Sequence, residues 1–361
     1  MSLLVVRGDA ARLPLPDASV DLIVTSPPYF ALRSYTDGGT HYAGQIGSEA
    51  TPAAYIADLV ECTREWMRVL KPSGSAFINL GDKYAGGGGF YPDSPVNVSR
   101  RSDTAHQEGS FTVSPSLKSR GTGRANGRTP EGTRTKSLML LPERYRIACV
   151  DQLGLIARAV IVWAKPNGLP ESVTDRVRRS HEDWVHLTRS PRYFAAVDEI
   201  REASQQRPGL SWEQRKANGH PTRYGEQASA LTGTAGFASN ALGKLPGSVW
   251  EIATEPLQVP AGVDVDHFAA FPSEWPRRLV LGWSPPRGTV VDPCGGTGTT
   301  AHVAAALGRI GITVDLSLDY SRLAAHPELA DRRRRKVLGL DKPVLPVIPE
   351  GQLGFDWEDV S

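Results

Sequence analysis

Val290-Val291-Asp292-Pro293-Cys294-Gly295-Gly296-Thr297-Gly298-Thr299-Thr300 decides the fold class. An apolar run ends on an acid, passes through a glycine-rich turn and opens into an Ala-rich stretch, Thr299–Leu307. This reads as strand, tight turn and helix, with Gly308 suited to the helix cap. Glycines let a backbone approach a ligand closely and take positive φ. A further strand, Ile310–Val314, ends at Asp315, 23 positions after Asp292. An acid at the end of the next strand is the layout of a nucleotide-type cofactor site, where it takes ribose hydroxyls. The spacing is not G-x-G-x-x-G, and no Walker lysine follows. Taken alone, the turn also fits a tight connection with no ligand.

Outward from this stretch, strand patterns alternate with helical ones. Leu3–Val6 reads as a short strand, and Val20–Thr25 as a second, stopped by Ser26-Pro27-Pro28, since two prolines cannot continue a central strand. Thr51-Pro52 is a helix start, with Thr as cap and Pro in the first turn. Ile56, Leu59, Val60, Thr63, Met67 and Leu70 follow helical spacing, and Lys71-Pro72-Ser73-Gly74 closes the helix before a strand at Ala76–Leu80. Ala159–Trp163, within Leu155–Ala164, fits a buried strand. The alternation predicts a three-layer α/β protein.

Composition bounds the partners. The 361 residues are 40% hydrophobic with net charge +2, so no global basic character points to nucleic acid. The charge is uneven, however: residues 96–136 carry eight Lys or Arg against three Asp or Glu. Local basic segments on a near-neutral body suit a protein that grips a polyanion at chosen places. Cys62, Cys149 and Cys294 lie far apart, with no zinc spacing or disulfide framework, and no metal is expected. The N-terminal apolar run is too short for a signal peptide, and no stretch approaches the ~20 apolar residues of a membrane span. The expected location is cytoplasmic.

The second constellation is Thr25-Ser26-Pro27-Pro28-Tyr29 after its buried strand. Ser-Pro-Pro-Tyr resembles the catalytic signature of DNA amino-methyltransferases that use S-adenosylmethionine. Exocyclic amino nitrogens are poor nucleophiles because the lone pair is delocalised into the ring. On this resemblance Ser26 Oγ and the Pro27 carbonyl accept the two N–H groups and free that pair. Pro27 and Pro28 hold the acceptors rigid, and Tyr29 stacks on a base swung out of the duplex. No strong general base is needed before attack.

Further blocks extend the resemblance over most of the chain. They are Leu3–Asp9 with Leu15–Asp21; Arg68–Gly74 with Asn79-Leu80-Gly81-Asp82; Trp163–Val173 with Asp175-Arg176 and Ser180-His181-Glu182; and His267–Pro272. Catalytic motif first, polar segment next and cofactor motif last resembles the permuted β group. The implied fold is a mostly parallel seven-stranded sheet with helices on both faces and a target-recognition insertion. The implied cofactor contacts are Asp9, Thr25, Phe268, Phe271, Pro272, Asp292, Pro293, Cys294, Gly295, Gly296, Gly298, Thr299, Asp315 and Leu316, with Asp9 near the adenine and Phe268–Pro272 at the methionine end. Two positions depart from the family pattern: Cys294 replaces a usual Phe, and Asp315 a frequent Glu.

The expected segments are 1–95 as the catalytic half, 96–136 as a mobile basic loop, 137–198 as core continued, 199–247 as the target recognition region, 248–336 as the cofactor half and 337–361 as a tail. Expected DNA contacts in the loop are Arg100, Arg101, Lys118, Arg120, Arg124 and Arg128. In the recognition region they are Arg201, Arg207, Arg215, Lys216 and Arg223. Lys165 and Asn167, just past a strand end, complete the set, and DNA affinity should depend strongly on salt. His181 and Glu182 are read as orienting a loop, Trp163 as core, and Arg332–Lys336 as a solvated helix end. The expected partner is double-stranded DNA, with a cognate restriction endonuclease possible and a monomer or homodimer both open. Ser at position 26 favours cytosine N4 over adenine N6, where Asp is commoner. An RNA or protein amide methyltransferase typically shows Asn there, and a non-catalytic DNA-binding relic conflicts with two complete motifs.

Overall fold

The computed structural model describes residues 2–31, 36–37, 40–41, 45–86, 133–168, 170–171, 173–203, 242–261, 263 and 271–340. In chain order the strands are β1 (Ser2–Arg7), β2 (Val20–Thr25), the two-residue β3 (Thr36–Asp37) and β4 (Thr40–His41), β5 (Leu70–Leu80), β6 (Ile156–Ala164), β7 (His181–Thr188), β8 (Val249–Glu251), β9 (Thr289–Asp292) and β10 (Ile310–Asp315). The helices are α1 (Pro52–Val69), α2 (Leu141–Leu153), α3 (Glu274–Trp283), α4 (Thr299–Ala306), α5 (Leu318–Ala324) and α6 (Pro327–Val337), and a 3-10 turn spans Val197–Ile200.

One sheet has the order β1-β10-β9-β2-β5-β7-β6-β8. Only β7 runs against its neighbours, β5 and β6; the other pairings are parallel. The sheet therefore has eight strands rather than seven, the three-residue β8 being added at the edge beyond β6. Strand β2, which leads into Ser26-Pro27-Pro28-Tyr29, and strand β9, which leads into the glycine turn, lie side by side at its centre, with Ile23 opposite Val291. From β2 the chain crosses through α1 to β5 on one side; from β9 it crosses through α4 to β10 on the other. Right-handed crossovers in opposite directions put the two helices on opposite faces. A first core layer joins the sheet to α1 and α2, through Leu59, Trp66 and Tyr145. A second joins it to α3, through Trp275, Leu279 and Trp283.

The local chemistry explains several boundaries. Thr51 caps α1 by accepting from the Ala54 N–H at 3.1 Å, and Pro52 follows it. Lys71–Gly74 does not separate helix from strand as the sequence suggests. Strand β5 begins at Leu70, and these residues bulge within it, between the pairs Val20–Leu70 and Leu22–Ser75. Gly74 is needed there: a Cβ would lie 2.8 Å from the Asp21 carbonyl. Asp21 ties the centre together, with one carboxylate oxygen on Lys71 Nζ and the other on the Thr289 N–H, both at 2.8 Å.

Strand β6 is only half buried, contrary to its apolar run: Ile161 and Trp163 point inward while Arg158 and Ala159 do not. It lies next to the edge, where one face meets solvent. No helix of the described residues is long and apolar enough to cross a membrane.

Candidate active site

All the decisive residues collect at one end of the sheet. In the parallel strands this is the carboxyl end, and the crevice between β9 and β2, where the crossovers diverge, is where open α/β sheets bind ligands. Because β7 runs the other way, its first residues, His181 and Glu182, reach the same end.

Ser26 and Tyr29 follow β2 directly. Tyr29 Oη is 2.7 Å from Asn79 Oδ1 and 2.9 Å from Glu182 Oε2. Ser26 Oγ lies 3.4 Å from the same Asn79 oxygen and 3.5 Å from Tyr29 Oη. Asn79 is oriented by its Nδ2, which donates to the Asp183 carbonyl at 3.2 Å. Lys165 Nζ forms an ion pair with the other Glu182 oxygen and lies over the Trp163 ring, 4.1 Å from its centre. Burial, then the nearby Glu182 charge, push the Tyr29 phenol well above its usual range, so it stays protonated.

Backbone groups complete this corner. Tyr55 of α1 donates to the Pro28 carbonyl at 3.0 Å. Among the described residues none donates to the Pro27 carbonyl, which stays open as an acceptor. Gly81 touches the Tyr29 ring, and a Cβ there would stand 2.8 Å from Cε2. Beneath the site Trp163, Trp184, Trp250 and Trp275 form an aromatic layer; Trp184 and Trp250 each stack on Trp275 at 4.9 Å. Trp163 is core, as expected, with its indole N–H on the Ile252 carbonyl at 2.7 Å.

The glycine turn sits across the crevice. Asp292 is buried; its carboxylate accepts from Thr300 Oγ1 at 2.9 Å and the Cys294 N–H at 3.2 Å. Burial raises its pKa to about 6. Gly295 has no room for a side chain, since a Cβ would lie 1.8 Å from Thr313 Oγ1. Gly298 starts α4 at φ 77°. Asp315 receives the Gly296 N–H on one oxygen and the Ser317 N–H on the other, both at 2.9 Å. Leu316 beside it is 42% exposed, an apolar surface at the mouth. Strand β1, counted with the catalytic half, pairs with β10 instead, and the Gly8 N–H bonds the Asp315 carbonyl at 3.0 Å. That pairing carries Asp9 to the side of Asp315, where its carboxylate accepts from the Ala11 N–H at 2.9 Å. Burial holds the Cys294 thiol well above its usual range, so it is no ready nucleophile.

Behind the turn lies a cavity of about 290 Å³, lined among others by Thr299, Phe271, Ser273, Glu255, Arg332 and Arg333. Arg333 is buried rather than solvated. Its guanidinium holds the Thr297 carbonyl, Thr297 Oγ1 at 2.8 Å and His302 Nδ1 at 2.9 Å. The basic run reads as a helix end because five cations in a row, Arg332–Lys336, give no sign of which one faces inward.

Thr25 is fully buried, Pro272 and Phe271 are buried, and Phe271 meets Trp184 edge-on at 5.4 Å. Asn167 clasps the backbone of Thr254, accepting at 2.8 Å and donating at 3.3 Å. Arg201 is bonded to Asp198 and to the Gly243 carbonyl. Lys165, Asn167 and Arg201 thus hold protein groups. Phe268, Arg100, Arg101, Lys118, Arg120, Arg124, Arg128, Arg207, Arg215, Lys216 and Arg223 lie outside the described residues.

Residues 20–326 match the family described as DNA methylase. The chain belongs to the DNA methylase family. It is 32% identical over 322 residues to the Type II methyltransferase M.SmaI of Serratia marcescens, spanning 89% of this chain and 88% of that protein. It is 31% identical to the Type II methyltransferase M.Cfr9I of Citrobacter freundii, over 89% of this chain and 85% of that one. In fold it is similar to the solved PvuII DNA methyltransferase (cytosine-N4-specific), with TM-score 0.55 and 16% identity over 92% of this chain and 91% of that chain. This DNA methylase is therefore an S-adenosylmethionine-dependent enzyme acting on an amino group, cytosine N4 or adenine N6, in DNA.

Proposed function

We propose that this methylase modifies the exocyclic N4 of cytosine in duplex DNA, on a base flipped into the crevice beside Tyr29. The observation that carries the reading is the hydroxyl of Ser26 at the end of β2, where the adenine enzymes of the family more often carry an Asp. The residues at the strand ends fit S-adenosylmethionine. Asp315 offers a carboxylate for ribose hydroxyls, and Asp9 and exposed Leu316 offer an acceptor and an apolar face for an adenine. The cavity of about 290 Å³ behind Thr299, with Arg332 and Arg333 on its wall, suits an amino-acid end. When bound, the cofactor supplies an electrophilic methyl on a sulfonium sulfur.

The chain's own part is acceptor placement and exclusion of water. Ser26 Oγ and the Pro27 carbonyl take the two amino hydrogens and draw the nitrogen toward tetrahedral geometry, freeing its lone pair. The acceptors are fixed before the base arrives, because the two prolines and the Tyr55–Pro28 bond immobilise the turn. Positioning in line with the methyl supplies much of the rate. The basic segment 96–136 and the region 199–247 are proposed to grip phosphates and read bases. By the names of its relatives, the enzyme is proposed to protect the sites of a companion restriction endonuclease.

The test is product identity. DNA from a methylation-free host expressing the chain, hydrolysed to nucleosides and resolved by mass, should contain N4-methyldeoxycytidine. N6-methyldeoxyadenosine in its place overturns the cytosine reading. Single-molecule sequencing of the same DNA gives the surrounding site.

A further inference from the structure

Two short contacts converge on one phenolic oxygen: Tyr29 Oη lies 2.7 Å from Asn79 Oδ1 and 2.9 Å from Glu182 Oε2. A phenol supplies one proton. Asn79 cannot supply a second, because its Nδ2 is turned to the Asp183 carbonyl and its oxygen faces Tyr29. The Ser26 proton lies in neither short contact. The two short contacts can therefore use one proton more than the phenol supplies. Glu182 is the member that can take it.

Methyl transfer to an amino group creates that proton. The nitrogen becomes cationic and must shed one hydrogen, while Ser26 and Asn79 have no basic group to receive it. We propose that Glu182 is the terminal acceptor of the proton released by the methylated amine, reached through the hydroxyls of Ser26 and Tyr29. The N–H bond breaks and its electron pair stays on nitrogen. Ser26 Oγ takes this proton as its own passes to Tyr29 Oη, and the Tyr29 proton passes to Glu182 Oε2. One O–H bond is gained at the carboxylate, and both hydroxyls end as they began. The Ser26–Tyr29 contact of 3.5 Å is long at rest, as catalytic contacts often are before substrate is bound.

Lys165 suits this role better than a direct grip on DNA. Its ammonium pairs with the far oxygen of Glu182 and fixes the carboxylate toward Tyr29. The Glu182 side chain is 19% exposed, enough to hand the proton on to water. Glu182 thus acts through Tyr29, as a positioning residue with a proton-accepting task.

The inference rests on the target amine lying against Ser26, as proposed above. Single-turnover methylation, S-adenosylmethionine affinity by calorimetry and fluorescence of a 2-aminopurine beside the flipped base are measured together for Glu182→Gln, Tyr29→Phe, their double variant, Glu182→Asp and Ser26→Ala. Gln keeps the acceptor for Tyr29 but takes no proton. Glu182→Gln and Tyr29→Phe should each slow the single turnover by about 100-fold, with cofactor affinity and fluorescence within about 3-fold of wild type. The double variant should be no slower than the slower single, since the two act as one unit, and Glu182→Asp should recover part of the rate. A Glu182→Gln rate within about 3-fold of wild type overturns the relay, as do additive losses or a loss of binding that accounts for the rate. If Ser26→Ala also keeps its rate, the placing of the amine is what fails. If Ser26→Ala loses its rate while Glu182→Gln keeps it, only the relay fails.

Discussion

At the scale of the residue, the two sides of the crevice hold separate hydrogen-bond networks. Tyr29 bonds to Asn79 and Glu182, on the side away from the glycine turn. Asp315 holds the turn itself, through Gly296 and Ser317. Tyr29→Ala should therefore weaken base capture, seen as lost 2-aminopurine fluorescence, while cofactor affinity by calorimetry stays near wild type. Asp315→Ala should do the reverse and lower cofactor affinity by about tenfold or more, because two backbone N–H groups lose their acceptor as well. Equal loss of cofactor in both variants would defeat this division. Ser26, Tyr29, Asp292, Asp315 and the glycines were legible in the sequence because each sits in a contiguous motif. Asn79 and Glu182 also stood in recognisable blocks, but their bond to one phenol was not legible. They are 103 positions apart in the chain, and only the pairing of β5 with β7 joins them.

At the scale of the element, α6 is a strap across the back of the glycine turn. Arg333 spans from α6 to Thr297 in the turn and His302 in α4. Burial lowers its pKa to about 10, still well above neutral, so it stays a cation. Arg333→Met keeps length and apolar volume but strips the Thr297 and His302 acceptors of their donor. It should destabilise the fold by roughly 1–3 kcal/mol and weaken cofactor binding; urea titration and calorimetry check both. An unchanged cofactor affinity would show that the strap does not shape the turn. Helix α6 was visible in the sequence as a basic helix, but its inward face was not. The bulge at Lys71–Gly74 misleads in the same way: Pro and Gly mark a break in local pattern, yet cannot say whether the chain leaves the sheet or merely buckles within it.

At the scale of the whole molecule, the sheet buries titratable groups whose balance sets the response to acid. His186 is stacked on Phe77 at 4.1 Å, and burial, then the Arg158 charge, lower its pKa to about 3. Burial, then Arg333, lower that of His302 to about 4. Both are neutral when folded and titrate at 6.5 when free, so the unfolded chain binds more protons below that pH. Their contribution is complete above pH 6.5 and is lost as the pH falls toward 4 and then 3. Asp292 works the other way: raised from 3.8 to about 6, it favours the folded state increasingly as pH drops through that window. The two histidines therefore make stability fall between pH 6.5 and 4, a fall opposed by Asp292 and by Asp183 and Glu49, whose carboxyls burial also raises. His186→Phe should flatten that fall by close to one proton in the slope of unfolding free energy against pH. A slope identical to wild type would mean His186 carries none of it. The sequence by itself determined the class of sheet and the order of the two motifs, because strand periodicity, glycine turns and the proline stop are local properties of the chain. Only the tertiary structure decided that β1 pairs with β10, that β7 reverses and brings Glu182 to Tyr29, and that Arg333 turns inward. Those choices depend on which distant surfaces are buried together, and burial between remote segments leaves no period in the sequence for either partner to show.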